Sequence, residues 1–165
     1  MHAWYLIHSK PRQEHIAQEQ LNRQGYETYL PLCPVRRRRQ GRVAKVIAPM
    51  FPRYLFIHLS DETDDWRPIR STIGVANLIR FAQAPARVPD KLIEKLKERE
   101  NEEGIQVIPS KEHRKGDRIR IAEGPFEGFE AIFQETSSRN RVTLLLEIAE
   151  RHFKLQLSGD VLEST

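Results

Sequence analysis

The sequence predicts an α+β fold: a sheet flanked by helices, followed by a small C-terminal unit. Three observations predict it. In Tyr54-Leu55-Phe56-Ile57-His58-Leu59 both alternating sets are largely apolar, as in a central strand covered on both sides. Helical spacing appears after Pro11 and again after Asp90, between strand-like runs. From Lys115 onward, short polar–apolar alternations recur, separated by turn residues.

Taken in order, Ala3-Trp4-Tyr5-Leu6-Ile7-His8 reads as a first strand. Pro11 suits the first turn of a helix and Gly25 its C′ position, with Ile16, Ala17 and Leu21 on one face. Tyr26 to Val35 reads as a second strand ending in prolines. Arg36-Arg37-Arg38-Arg39, Arg42 and Lys45 form a basic hairpin tip turned at Gln40-Gly41. Pro49 and Pro52 cannot donate ladder hydrogen bonds, so the central strand starts after Pro52. Asp61 to Asp65 is an acidic loop, and Pro68 to Thr72 a short helix broken by Gly74. Val75 to Phe81 is a further strand. Asp90 N-caps a helix carrying one apolar stripe, Leu92, Ile93 and Leu96, which Gly104 ends. Residues 101–114 are a linker, placing one unit at 1–100 and a second at 115–165.

The second unit has two readings. Lys115 to Ala122, Phe129 to Phe133, Val142 to Leu146 and Phe153 to Leu157 fit the strands of a small barrel. Phe126, Phe129, Ile132 and Phe133, and likewise Val142, Leu145, Leu146, Ala149 and Phe153, also fit helical spacing. The sequence permits both, and a chain that uses both needs packings within a few kcal/mol of each other.

Charge separates the two parts. Residues 1–90 hold 14 Lys and Arg against 8 Asp and Glu, and residues 91–165 hold 13 against 15. A basic first half points to nucleic acid. Seven cations between positions 36 and 53 favour phosphate contact over a merely solvated face. No apolar run approaches the ~20 residues of a membrane span. The start shows no signal-peptide layout, and the single cysteine, Cys33, permits no intrachain disulfide, so a reducing cytoplasm is the expected compartment. Glycine-rich phosphate loops, nucleophile motifs and metal-ligand spacings are absent, so the chain does not read as an enzyme and no cofactor or metal is expected.

In this order the residues resemble the NusG family of transcription elongation factors. The likeness runs through Trp4-Tyr5, the helix after Lys10, Phe51-Pro52-Arg53-Tyr54-Leu55-Phe56 and Gly74-Val75. It continues through Gly116-Asp117-Arg118-Ile119 to Gly124-Pro125-Phe126-Glu127-Gly128-Phe129, which is similar to the family's KOW motif. Within the family, Arg80 to Pro89 looks most like the specialised RfaH branch. The resemblance implies an antiparallel N-terminal sheet. It also implies a C-terminal KOW unit, either an autoinhibiting helical hairpin or a five-stranded barrel. The implied function is antitermination: a monomer binding the clamp helices of RNA polymerase and the non-template DNA strand in paused complexes, with the ribosome as a partner of the second unit.

Leu6, Phe51, Tyr54, Phe56, Phe81 and Ile93 match the polymerase-binding positions. Lys10, Gln13, Gln24 and Thr72 match the DNA-binding ones, and Arg36, Arg37, Arg38 and Arg39 are expected on upstream DNA. Phe126, Phe129 and Leu145 are expected to face the other unit or the ribosome. Three positions depart from the branch, Ile16, Gln20 and Ile73, and Asp65-Trp66-Arg67 stands where it makes a second polymerase contact. Its interdomain charge pair falls on Ala48 and Arg141, and Ala48 carries no acid. Two rival readings remain: a general NusG-type factor and a ribosome- or RNA-binding KOW protein.

Overall fold

The computed structural model describes residues 2–107 and 129–163. Its main sheet has the order β2 (Glu27–Tyr29), β5 (Tyr54–Ser60), β1 (His2–Ser9) and β6 (Val75–Leu78), with β9 (Arg87–Val88) also paired to β1. Strand β1 (His2–Ser9) and β5 (Tyr54–Ser60) pair antiparallel along their length, from His2 opposite Ser60 to His8 opposite Tyr54. On β1's other edge, β6 (Val75–Leu78) takes one end and β9 (Arg87–Val88) the other. Strand β2 (Glu27–Tyr29) flanks β5.

The two apolar faces read from the central run are both buried. Leu55, Ile57 and Leu59 join Ala3, Tyr5, Ile7, Ala17 and Leu21 under helix α1 (Glu14–Arg23). Phe56 joins Trp4, Leu6, Phe51 and the stripe Leu92, Ile93 and Leu96 of helix α2 (Asp90–Glu98) on the opposite face. Alternation along β1 and β5 produces this split, because successive side chains leave a strand on opposite sides.

Helix α1 ends as glycine directs. Gly25 takes φ +95°, its N–H donates to Asn22 O, and Tyr26 N–H donates to Leu21 O. That is the Schellman pattern. The helix itself begins at Glu14, so Pro11 lies before it in a turn. Ile16 is 43% exposed and not on the core face, which is set by Glu14, Ala17 and Leu21. Gly74 permits a close approach: a Cβ there would lie 2.7 Å from the backbone N of Ala17.

Elsewhere the boundaries shift. The strand expected over Tyr26 to Val35 divides into β2 and β3 (Leu32–Arg39). β3 pairs with β4 (Arg42–Pro49) as a separate ribbon. Its turn residues Gln40 and Gly41 have φ +51° and +77°. Two successive positive φ values match the right-handed twist of a tight hairpin. Val75 to Phe81 breaks at Ile79, leaving β7 (Arg80–Phe81) to pair with β8 (Ala84–Pro85). The turn after Trp66 is a 3₁₀ turn, Arg67–Ile69. Helix α2 (Asp90–Glu98) has Pro89 at its N-cap, so Asp90 is its first residue. Its C-cap is Arg99 and not Gly104, which instead turns the chain at Asn101–Ile105. Gln106 N–H then donates to Leu32 O, tying residues 101–107 to β3.

Between residues 129 and 163 the chain forms two helices, α3 (Phe129–Gln134) and α4 (Ser138–Glu163), packed together as a hairpin. Of the two periodicities, the described residues adopt the helical one. Phe129, Ile132, Phe133, Leu145, Ile148 and Ala149 are buried in the same cluster as Leu6, Phe51 and Phe56. The docked surface supplies the apolar partner that a helical stripe needs. The Gly116-to-Gly128 motif, Phe126 included, lies outside the described residues.

Candidate functional site

The aromatic face combines strand geometry with a helical cover. Leu6, Phe51 and Phe56 are fully buried and Ile93 nearly so, while Tyr54 and Phe81 are partly exposed at its margins. Phe51 meets Phe56 edge-on at 6.0 Å, and Tyr54 stacks on His8 at 5.0 Å. Four kinds of contact hold the hairpin here. Helix α4 lies along β9. Phe153 reaches Phe81, with ring centroids 5.9 Å apart. The Arg99 guanidinium sits 4.2 Å from the Phe133 ring. Arg141, fully buried, donates from Nε to Met50 O at 3.0 Å and from Nη2 to Cys33 Sγ at 3.3 Å.

Arg141 is therefore solvated by the protein. It also donates to Glu135 O and Ser138 Oγ, each at 3.0 Å. Among the described residues no carboxylate lies within ion-pair distance of it. This fits Ala48, which offers no acid. Carbonyls take over a role that a carboxylate would fill, since charge-assisted hydrogen bonds offset part of the desolvation of a buried cation. Burial pushes the Cys33 thiol up, with Arg141 opposing, so the thiol stays protonated beside the guanidinium.

A pH dependence of docking is expected from His152. Burial holds its imidazole below the ordinary value, the Arg87 guanidinium adds to this, and the Asp90 carboxylate opposes it. A freed His152 takes a proton near pH ~6.5, whereas the docked one resists until lower pH. A released hairpin would bind more protons in that window, so docking is expected to be strongest above it and to weaken as pH falls. NMR spectra at pH 7.5 and 5.5 are expected to show a smaller docked fraction at the lower pH. His152→Gln should flatten the change; His8, depressed by burial and Arg53, remains as the control.

A second group of candidates gathers around α1. Lys10 N–H donates to Gly74 O at 2.8 Å and Gln13 N–H to Lys10 O at 3.0 Å, fixing the approach to α1 against the 72–74 turn. Gln24 Nε2 donates to Thr72 Oγ1 at 2.8 Å and to Gln20 O at 3.2 Å. Thr72 is only 6% exposed and its hydroxyl donates to Pro68 O. It orients the Gln24 amide from below, leaving Lys10 and Gln24 as the exposed groups. Ile73, 66% exposed, stands beside them.

Residues 2–97 match the family model described as "Transcription termination factor nusG". The chain belongs to the NusG family. The Transcription termination/antitermination protein NusG of Deinococcus radiodurans is 26% identical, the match covering 93% of this chain and 94% of that protein. That of Thermus thermophilus is 25% identical over the same shares. A solved structure titled "Domain interaction in Thermotoga maritima NusG" aligns with TM-score 0.44 and 18% identity, covering 77% of this chain and 76% of its own.

In this NusG-family chain the basic ribbon carries cations on both faces. Arg36 lies opposite Lys45 and Arg38 opposite Val43, while Arg37 lies opposite Ala44 and Arg39 opposite Arg42. Opposed residues share a face and successive ones alternate. Each face therefore bears three cations, and Arg36 to Arg39 are all exposed. The ribbon is a sheet of its own, whose base meets the aromatic cluster through Cys33 and Val35 while Arg36 to Arg39 are not part of that cluster. Reading the sequence missed the Arg99–Phe133 contact and the Arg141 carbonyl cage. Neither has a sequence signal, because backbone acceptors are present at every residue. Phe153 was legible through its helical spacing from Ala149.

Proposed function

We propose that this NusG-family chain is an antitermination factor of the RfaH type. It binds RNA polymerase through the aromatic face and holds exposed non-template DNA on the α1 patch. It rests with the aromatic face covered by α3–α4. One observation carries the reading: Phe129, Ile132, Leu145 and Ala149 are buried in the same cluster as Leu6, Phe51, Phe56 and Ile93. Buried there, those residues are closed to a partner until the hairpin leaves. The second reading is a general NusG-type factor, favoured by the names of the relatives above. Occupancy across the genome separates them, since the first reading confines binding to a few operons and the second does not.

The ribbon is assigned to upstream duplex DNA. Three cations per face suit a strand pair that contacts phosphates on two sides. Changing Arg36 to Arg39 together to glutamine is expected to lower the salt dependence of elongation-complex binding by roughly three to four units of log–log slope. A slope equal to that of the unaltered chain would mean that these arginines only face solvent.

A further inference from the structure

We propose that a cleft between the 3₁₀ turn and the β6–β7 edge is a nucleotide subsite for single-stranded nucleic acid, taking one base and its phosphate. This rests on the DNA-binding reading above and adds a site which that reading does not contain. The cleft encloses about 260 Å³ and is lined by Trp66, Arg67, Ile69, Arg70, Leu78 and Arg80. Ile69 and Leu78 are buried and give it an apolar lining. Trp66 is partly exposed, yet its ring is already fixed. Its Nε1–H donates to Ser60 O at 3.0 Å, and the ring packs edge-on to Tyr5 at 4.7 Å. A stacking platform held before the ligand arrives loses little entropy on binding.

Charge selects the ligand further. Asp65 takes both the Nε and Nη2 donors of Arg67. Arg80 spends one donor on Gln83 O. Among the described residues no carboxylate lies within ion-pair distance of Arg70 or Arg80. Two guanidiniums with no carboxylate partner among the described residues thus border an apolar hollow that the Trp66 indole also lines. Guanidinium forks match phosphate oxygens, and an indole face stacks on any base. An acidic peptide would use the arginines and leave the indole idle, so a nucleotide fits the whole lining better.

Position supports the same ligand. Arg70, which lines the cleft, stands two residues before Thr72, whose hydroxyl accepts from Gln24, so one short segment joins the cleft to the α1 patch. Ile69, Leu78 and Trp66 belong to the cluster under α1, on the side of the sheet opposite α3–α4. The cleft therefore stays open while the hairpin is docked.

The test titrates the full chain with a fluorescently labelled 12-nucleotide oligothymidylate. Anisotropy gives affinity, and intrinsic fluorescence reports the indole. Trp4, the other tryptophan, is 7% exposed and stacked on His58, so quenching by a bound base comes from Trp66. Binding should quench the emission. Arg70→Ala with Arg80→Ala should weaken affinity at least tenfold and remove roughly 0.7 unit of salt slope, the amount for the one single-strand phosphate held there. Lys10→Ala with Gln24→Ala should weaken binding but keep the quench at saturation. If the cleft variant binds the oligonucleotide like the unaltered chain while the Lys10 variant is weakened, the cleft proposal fails and the α1 reading survives. If the full chain binds no oligonucleotide, both fail. If the cleft variant keeps the oligonucleotide but loses affinity for core polymerase, the cleft is a protein contact and the proposal is overturned.

Discussion

The Leu145→Ala chain is expected to hold its C-terminal hairpin about 2–5 kcal/mol less tightly, the usual range for truncating a buried leucine. Leu145 is fully buried in the cluster shared with Phe51 and Phe56. A cavity there falls on the docked state, because an undocked α4 has no such wall to lose. A ratio of docked to free hairpin changed by roughly 30-fold or more follows from that range. Polymerase affinity should rise with it, up to the limit set by full release, since occupancy of a competent state scales apparent affinity. Amide exchange in α4 should quicken in parallel. Arg141 is the poorer target for this purpose. Its removal leaves Met50 O without its donor but also relieves a buried cation, and these effects oppose each other.

Truncating Tyr54 is expected to weaken polymerase binding by roughly 30-fold or more in the released chain, the loss usual for a hot-spot aromatic. Tyr54 is suited to the experiment because it is partly exposed and stacks on His8 at the margin of the face. Phe51 is not. It is wholly buried against Phe56, so alanine there costs about 3–5 kcal/mol of the fold itself. Placing Tyr54→Ala in the Leu145→Ala background separates the anchor from the mask. A loss of affinity with unchanged thermal stability supports the assigned role. Unchanged affinity removes Tyr54 from the interface.

What the sequence made legible was whatever has a period or a turn signature. Alternation in Tyr54 to Leu59 assigned two buried faces, and those are the two clusters found. Gln40-Gly41 located the ribbon turn, and Gly25 the end of α1. Ile16 was misplaced because α1 begins three residues after Pro11, which rotates its core stripe toward Glu14, Ala17 and Leu21. The break between β2 and β3 was missed because apolar residues continue across Leu30 and Pro31, both buried without being strand. Helix or barrel beyond residue 128 was undecidable by pattern, since Phe129, Ile132 and Phe133 serve either period. Only the apolar surface beside them favours the helix. The candidate site divides the same way. Lys10, Gln13, Gln24 and Thr72 come together as a patch, yet the subordinate position of Thr72 depends on a bond to Pro68 O that composition does not encode.

The central claim is that α3–α4 covers a face meant for polymerase. Its most direct test compares core-polymerase affinity of the full chain with that of a chain ending at Val107. The account predicts at least tenfold tighter binding by the shorter chain. Equal affinity for the two would contradict it.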